Sequence, residues 1–274
     1  WQAYINTEKL FVMRKILILI IFIFIGFHLS YSQGLQINNK DFLWNPDDSI
    51  THRKVNYDPV FFVLGTLSDY LGHFQYVDRE KQVDRYYPYQ RSLVDYLTKY
   101  IKVNLNIKVD TVFEKSGHCE MYSDTLSKIL NNFYDEKGLL INSLFKTNEQ
   151  ICSFIAGVYY RDGKKIDTLI YKIQLYNSPK NQNCYELLKQ IGCNRIFFQY
   201  SRGFPSVYIL YFKPTKELDN YLYSIEEENK ELNKWLYQTK YKIFKDYISK
   251  EEWEKEIIES NSKELIIIKN AFNL

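Results

Sequence analysis

The chain is poor in the residues that usually announce a chemistry. Four cysteines in 274 residues are too few for a disulfide-stapled scaffold. Histidine is equally scarce, with four in all and none after His118. Cys119, Cys152, Cys184 and Cys193 therefore lack a following histidine, which excludes the cysteine-before-histidine order of papain-like thiol hydrolases. His118 and Cys119 are neighbours, and adjacent side chains of an extended segment point to opposite faces, so they are not expected to form a dyad. There is no His-Glu-x-x-His, no paired Cys-x-x-Cys and no EF-hand loop. No Gly-x-Ser-x-Gly elbow occurs either. Gly157 to Gly163-Lys164 has five intervening residues where a phosphate loop has four, and Lys165 stands where Ser or Thr is needed. No catalytic residue, metal or cofactor is expected from these patterns. Cys152 and Cys184 fall on apolar faces and read as buried core thiols. Cys184 and Cys193 bracket a short predicted helix. Its length would hold them roughly 13 Å apart, beyond the reach of a disulfide; other pairings stay open.

What is present is globular. The chain is 46% hydrophobic and 25% charged, which excludes a disordered tail or a collagen-like repeat. Alanine occurs only at Ala3, Ala156 and Ala271, while Tyr occurs 25 times. Heavy joint use of Ile, Lys, Asn, Tyr and Phe follows A/T-rich codons more simply than it follows a sugar-binding surface.

The first 32 residues stand apart. Met13-Arg14-Lys15 precedes an unbroken apolar run, Ile16 to Phe27, and then Ser30-Tyr31-Ser32. A basic start, an apolar stretch and small residues at −3 and −1 predict a secretory signal peptide over 13–32, cleaved before Gln33. Residues 1–12 are expected to precede the true start. The apolar run is short for a membrane span, which needs about 20 residues. Removing 32 of the 274 residues leaves 242, and losing Lys9, Arg14 and Lys15 with Glu8 takes the formal charge from +3 to +1.

Asp58-Pro59 reads as an N-cap and first helical residue, with Val60, Val63, Leu64, Leu67, Leu71 and Phe74 at helical spacing. A second helix is predicted from Gln90 to Lys102. Val103, Leu105, Ile107, Val109 and Phe113 alternate with polar residues as in a strand. Ser123 caps a third helix. Asp162-Gly163 reads as a two-residue hairpin turn that pairs Cys152 with Ile173, Phe154 with Tyr171 and Ala156 with Leu169. A capping box at Asn183 and Glu186 starts a short helix stopped by Gly192. A second hairpin pairs 195–201 with 206–212 around the tip Arg202-Gly203-Phe204-Pro205, and Ile196, Phe198 and Tyr200 are expected to share a face with Tyr211, Ile209 and Val207. From Thr215 the pattern is helical, and Ser249 with Glu252 forms another capping box. Leu265–Ile268 fits helix or strand.

These elements predict an α+β fold: a largely antiparallel sheet of two hairpins and at least one further strand, helices on one side and a helical C-terminal arm. The α+β domain is assigned to 33–214 and the arm to 215–274. Two exposed clusters are candidate binding surfaces. Arg85, Tyr86, Tyr87, Tyr89 and Arg91 surround a proline, and Tyr and Arg are favoured at interfaces. Arg202 and Phe204 mark the second hairpin tip. The near-zero charge predicts no nucleic-acid partner, and membrane contact only through an uncleaved signal segment. The expected protein is an exported, non-catalytic binder of the bacterial envelope, periplasmic, outer-membrane-associated or secreted. Its expected partner is an envelope or extracellular protein or glycan. The alternative is an envelope hydrolase acting on glycan or peptide through paired carboxylates.

Overall fold

A computed structural model describes residues 52–74 and 80–273. The predicted signal segment lies outside them. Helix α1 (Pro59–Thr66) leads through strand β1 (Gln82–Tyr86), α2 (Arg91–Leu105), β2 (Asp110–Phe113) and β3 (Cys119–Tyr122) to α3 (Asp124–Asn131). A second set follows: α4 (Asn148–Asp162), β4 (Gly163–Asp167), β5 (Ile170–Tyr176), α5 (Lys180–Gln190), β6 (Ile196–Ser201), β7 (Val207–Phe212) and α6 (Lys216–Ser224). Helices α7 (Glu226–Phe244) and α8 (Lys250–Phe272) complete the described chain. The fold class is α+β, as the sequence predicts. The order helix, strands, helix, hairpin, helix occurs twice, with one strand before the middle helix in the first half among the described residues and two in the second.

The strands form two antiparallel sheets, β1-β3-β2 and β4-β5-β7-β6. Between them α1 and α4 cross at glycines. A Cβ on Gly65 would overlap the Phe154 carbonyl and lie 2.9 Å from the Val158 nitrogen, and one on Gly157 would overlap the Phe62 carbonyl and lie 3.1 Å from the Gly65 Cα. Only glycine permits so close a backbone approach. Ile151 to Arg161 are all buried, so α4 is a core helix buried on every side.

That burial explains a correction. Cys152, Phe154 and Ala156 belong to α4 and not to a hairpin strand. Asp162-Gly163 is the helix-to-strand junction, and the hairpin turn lies between Asp167 and Ile170. A helix buried all round carries no 3.6-residue stripe, so a period-2 reading met no contradiction. The strand expected from Val103 is corrected too. Helix α2 continues to Leu105, Val103 is exposed, and Asn106 ends the helix in the left-handed region at φ +55°.

The second hairpin lies where predicted, with its register shifted by one. Ile196 faces Phe212, Phe198 faces Leu210 and Tyr200 faces Tyr208. Val207, Ile209 and Tyr211 therefore share a face with Phe197, Gln199 and Ser201, since a one-residue slip exchanges the faces of a strand.

Caps hold the helix starts. Asp58 accepts from the Val60 and Phe61 amides, Ser123 from Leu126, and Ser249 from Glu252 within a capping box. Helix α5 begins earlier than predicted, at Lys180. Asn183 instead donates to the Leu140 carbonyl at 2.9 Å. Asn229, which interrupts the apolar spacing of α7, is buried and donates to the Tyr159, Tyr160 and Gly163 carbonyls at 2.8, 3.2 and 2.9 Å. It satisfies carbonyls left open at the end of α4. Residues 265–268 are helical.

Candidate functional site

Both central helices end at one buried ionic cluster. Arg161, in the last turn of α4, pairs with Asp84 of β1. It also donates to the Thr66 carbonyl at 2.7 Å and to the Arg85 carbonyl at 3.0 Å. Lys180 donates to the Gly65 carbonyl at 3.1 Å and to that of Leu67. Two cations thus cover the carbonyl end of α1, where the helix dipole favours positive charge. Lys180 also lies 3.8 Å from Asp69. Asp69 accepts from Tyr134 at 2.8 Å and meets His73 Nδ1 at 3.2 Å. The His73 ring stacks on Tyr134, centroids 4.0 Å apart.

The carboxylates of this cluster differ. Burial alone would raise the pKa of Asp69, but Lys180, His73 and Tyr134 outweigh it and hold the carboxyl below its ordinary value. At Asp162 burial wins over the attraction of Arg161 and Lys180, helped by repulsion from Asp84 and Asp69, and its pKa is raised. A group whose folded pKa is raised contributes stability below its unfolded pKa and loses it as pH rises through the folded pKa. Asp162→Asn is therefore expected to raise the melting temperature at pH 7 and to lose that advantage at pH 4. An equal shift at both pH values would refute the account.

A cavity of about 260 Å³ opens beside the cluster, lined by Asp69, His73, Asp84, Arg85, Tyr87 and His118 among others. Among the described residues no group of three His, Cys, Asp or Glu side chains is arranged to hold a metal ion. All four cysteines are free and buried. Burial pushes the Cys119 and Cys193 thiols up to about 11, which suits core packing and not nucleophilic attack.

The candidate residues chosen from sequence divide between the two sheets. Tyr86 is corrected: it is a core residue, 1% exposed, beneath the Arg161 guanidinium. Arg85 is exposed but pairs with Glu114 at 2.9 Å and Glu120 at 3.6 Å. Arg91 pairs with Asp95 at 3.2 Å and lies over the Phe113 ring. Tyr87 and Tyr89 stack on each other. Arg202 and Phe204 sit apart from these, on the β6–β7 loop, where Phe204 is 87% exposed.

The outer face of the second sheet escaped the sequence reading, because it depends on the observed register. Lys164 and Lys172 stand in one row with Tyr211 and Phe197. In the next row Gln174 and Gln199 flank Ile209. Arg202 and Phe204 extend from the end of this face. The outer face of the first sheet differs, pairing Arg85 with Glu120 and Glu114.

Compared by sequence, the chain matches no family model and no curated protein. Its fold layout is similar to that of a number of solved structures. One is the homing endonuclease I-DmoI in complex with DNA and Ca, 15% identical, covering 61% of this chain and 88% of that one, TM-score 0.41. A second is full-length DUF199/WhiA from Thermatoga maritima, 16% identical, covering 77% and 69%, TM-score 0.40. A third is the N-terminal LAGLIDADG domain of DUF199/WhiA, 17% identical, covering 64% and 87%, TM-score 0.38. These neighbours correct the expectation of an exported envelope protein. The envelope or glycan partner, the exclusion of nucleic acid, the exported localisation and the alternative envelope hydrolase are all withdrawn with it. Likeness of this extent leaves the chemistry to be argued from this chain's own residues.

Proposed function

We propose that the protein binds duplex nucleic acid through the outer face of its second sheet. The observation that carries this reading is the side-chain pattern of that face. Two lysines lie in one row and two glutamines flank an isoleucine in the next. A sheet or β-ribbon fits the major groove. A glutamine amide offers a donor and an acceptor together, the pairing that an adenine edge accepts, and lysines meet phosphates. Arg202 adds a cation at the hairpin tip, and exposed Phe204 has the form of an apolar wedge between bases. The reading is one of binding: Asp69 and Asp84 of the buried cluster pair with Lys180 and Arg161.

The formal charge of only +3 makes the attraction local. Neutralising three phosphates through Lys164, Lys172 and Arg202 would give a slope of about −2.7 for log affinity against log salt. Fluorescence anisotropy on a labelled duplex tests this. Arg202→Ala is expected to make the slope shallower by about 1. Wild-type affinity that does not change with salt, or absence of binding at low salt by the wild type and by a variant with α8 detached alike, would contradict the proposal.

A further inference from the structure

We propose that helix α8 is an autoinhibitory cover that competes with nucleic acid for the outer face of the second sheet. The inference rests on the reading above and adds its regulation. Both lysines of the face are engaged by α8. Lys172 donates to Glu264 at 2.6 Å, and Lys164 donates to the Asn261 side chain at 3.1 Å. The Tyr211 hydroxyl donates to the same Glu264 carboxylate. Lys269 pairs with Asp167 at 3.0 Å, and Arg195 donates to the Phe272 carbonyl at 2.9 Å. Burial alone would raise the pKa of Glu264, but Lys172 and Tyr211 outweigh it and hold the carboxyl below its ordinary value. It stays charged at neutral pH, an anion seated where a phosphate oxygen would meet Lys172.

Toward the sheet α8 presents Glu264 to Lys172 and Lys269 to Asp167, while Glu251, Glu252, Glu254 and Glu259 are exposed.

The packing makes the cover separable. Ile268 and Phe272 are buried with Ile170, Val207, Ile209 and Tyr211 in a cluster of their own. The main core, built on α1, α4 and the inner sheet faces, contains no residue of α8. Lifting α8 away from the sheet and from α7 therefore breaks that small cluster, the polar contacts above and the packing of Trp253 on Tyr237, Tyr241 and Phe244 of α7, and leaves the core whole. The helix carries its own capping box at Ser249 and Glu252, so its N-terminal cap does not depend on the sheet. Residues 245–249, between α7 and α8, form the joint. A ligand that needs the open face binds with its intrinsic constant divided by the open fraction, so the docked helix weakens binding without changing the face.

The test uses the full-length chain with three substitutions and one labelled duplex, read by anisotropy. Phe272→Asp removes the apolar anchor, and Glu264→Gln removes the masking charge while keeping its shape. Glu259→Gln removes the same charge from an exposed position on α8. Hydrogen exchange over 250–272 reports release, and the cooperative melt of the core reports folding. The expected result is affinity at least 10-fold tighter for Phe272→Asp, severalfold tighter for Glu264→Gln, and unchanged for Glu259→Gln. Phe272→Asp is the decisive variant, since an added negative charge by itself weakens binding to a polyanion. If wild type binds, and Phe272→Asp releases α8 without tightening, the cover is refuted while the nucleic-acid reading stands. Equal tightening by Glu264→Gln and Glu259→Gln also refutes it, as an effect of net charge alone. If neither wild type nor released variant binds, the nucleic-acid reading fails and the inference falls with it. Should Phe272→Asp fail to melt cooperatively, the Glu264→Gln and Glu259→Gln pair decides alone.

Discussion

Gly157→Ala is expected to destabilise the protein by about 3 kcal/mol, the upper end of ordinary overpacking. The new methyl would overlap the Phe62 carbonyl and press on the Gly65 Cα at 3.1 Å. Both are backbone atoms of the facing helix, so no side-chain rotation relieves the clash, and α1 and α4 must move apart. Gly65→Ala meets the same obstacle from the other side, at the Phe154 carbonyl. Gly203→Ala is the control. Its Cβ would have an ordinary 3.5 Å contact in an exposed loop, and a change within about 0.5 kcal/mol is expected. Urea unfolding of the three variants checks the ranking. A Gly157→Ala protein as stable as Gly203→Ala would mean that the helices do not cross at this point.

Arg161→Met has the second large effect. It leaves Asp84 as a buried carboxylate without its cation, and the Thr66 and Arg85 carbonyls without their donor. Breaking a buried pair by removing one partner costs about 3–5 kcal/mol, whereas replacing both partners by apolar residues is often close to neutral. The double variant Arg161→Met/Asp84→Leu is therefore expected to recover much of the loss. The unfolding midpoints of the two proteins measure this. If the double variant is no better than the single one, the cost arises from the lost packing of the guanidinium over Tyr86 and not from the orphaned charge.

Local chemistry made much of the fold legible. Asp58, Ser123 and Ser249 signal helix starts because a capping side chain acts within three residues of itself. The β6–β7 hairpin was visible from alternation. Its register was not, because strongly apolar side chains stand on both of its faces: Phe197 and Ile209 outside, Phe198 and Leu210 inside. Alternation alone cannot then choose between adjacent registers. The central helices were the hardest part. A helix buried on all sides loses its amphipathic stripe, so Cys152, Phe154 and Ala156 satisfied a strand pattern by accident. One signal was available: Phe62-Val63-Leu64-Gly65 and Phe154-Ile155-Ala156-Gly157 repeat the order Phe, branched aliphatic, apolar, Gly, 92 residues apart. It marks the two crossing helices and the doubling of the fold.

The proposed binding face was hidden for a related reason. Lys164, Lys172, Gln174 and Gln199 come from three strands and form a pattern only once the register is known. Formal charge misled as well, because it counts lysines and glutamates equally and is blind to which face each occupies. The glutamate that neutralises Lys172 lies 92 residues away, on the last described helix.

The central claim is that duplex nucleic acid lies on the outer face of the second sheet. Hydrogen exchange of the full-length chain, with and without a duplex of about two helical turns, tests it most directly. Amides of β5, β6, β7 and the Arg202–Pro205 loop are predicted to gain protection on binding, while those of 250–272 exchange faster as α8 is displaced. Protection confined to the β1-β3-β2 sheet, or an exchange profile unchanged by saturating duplex, would contradict the account.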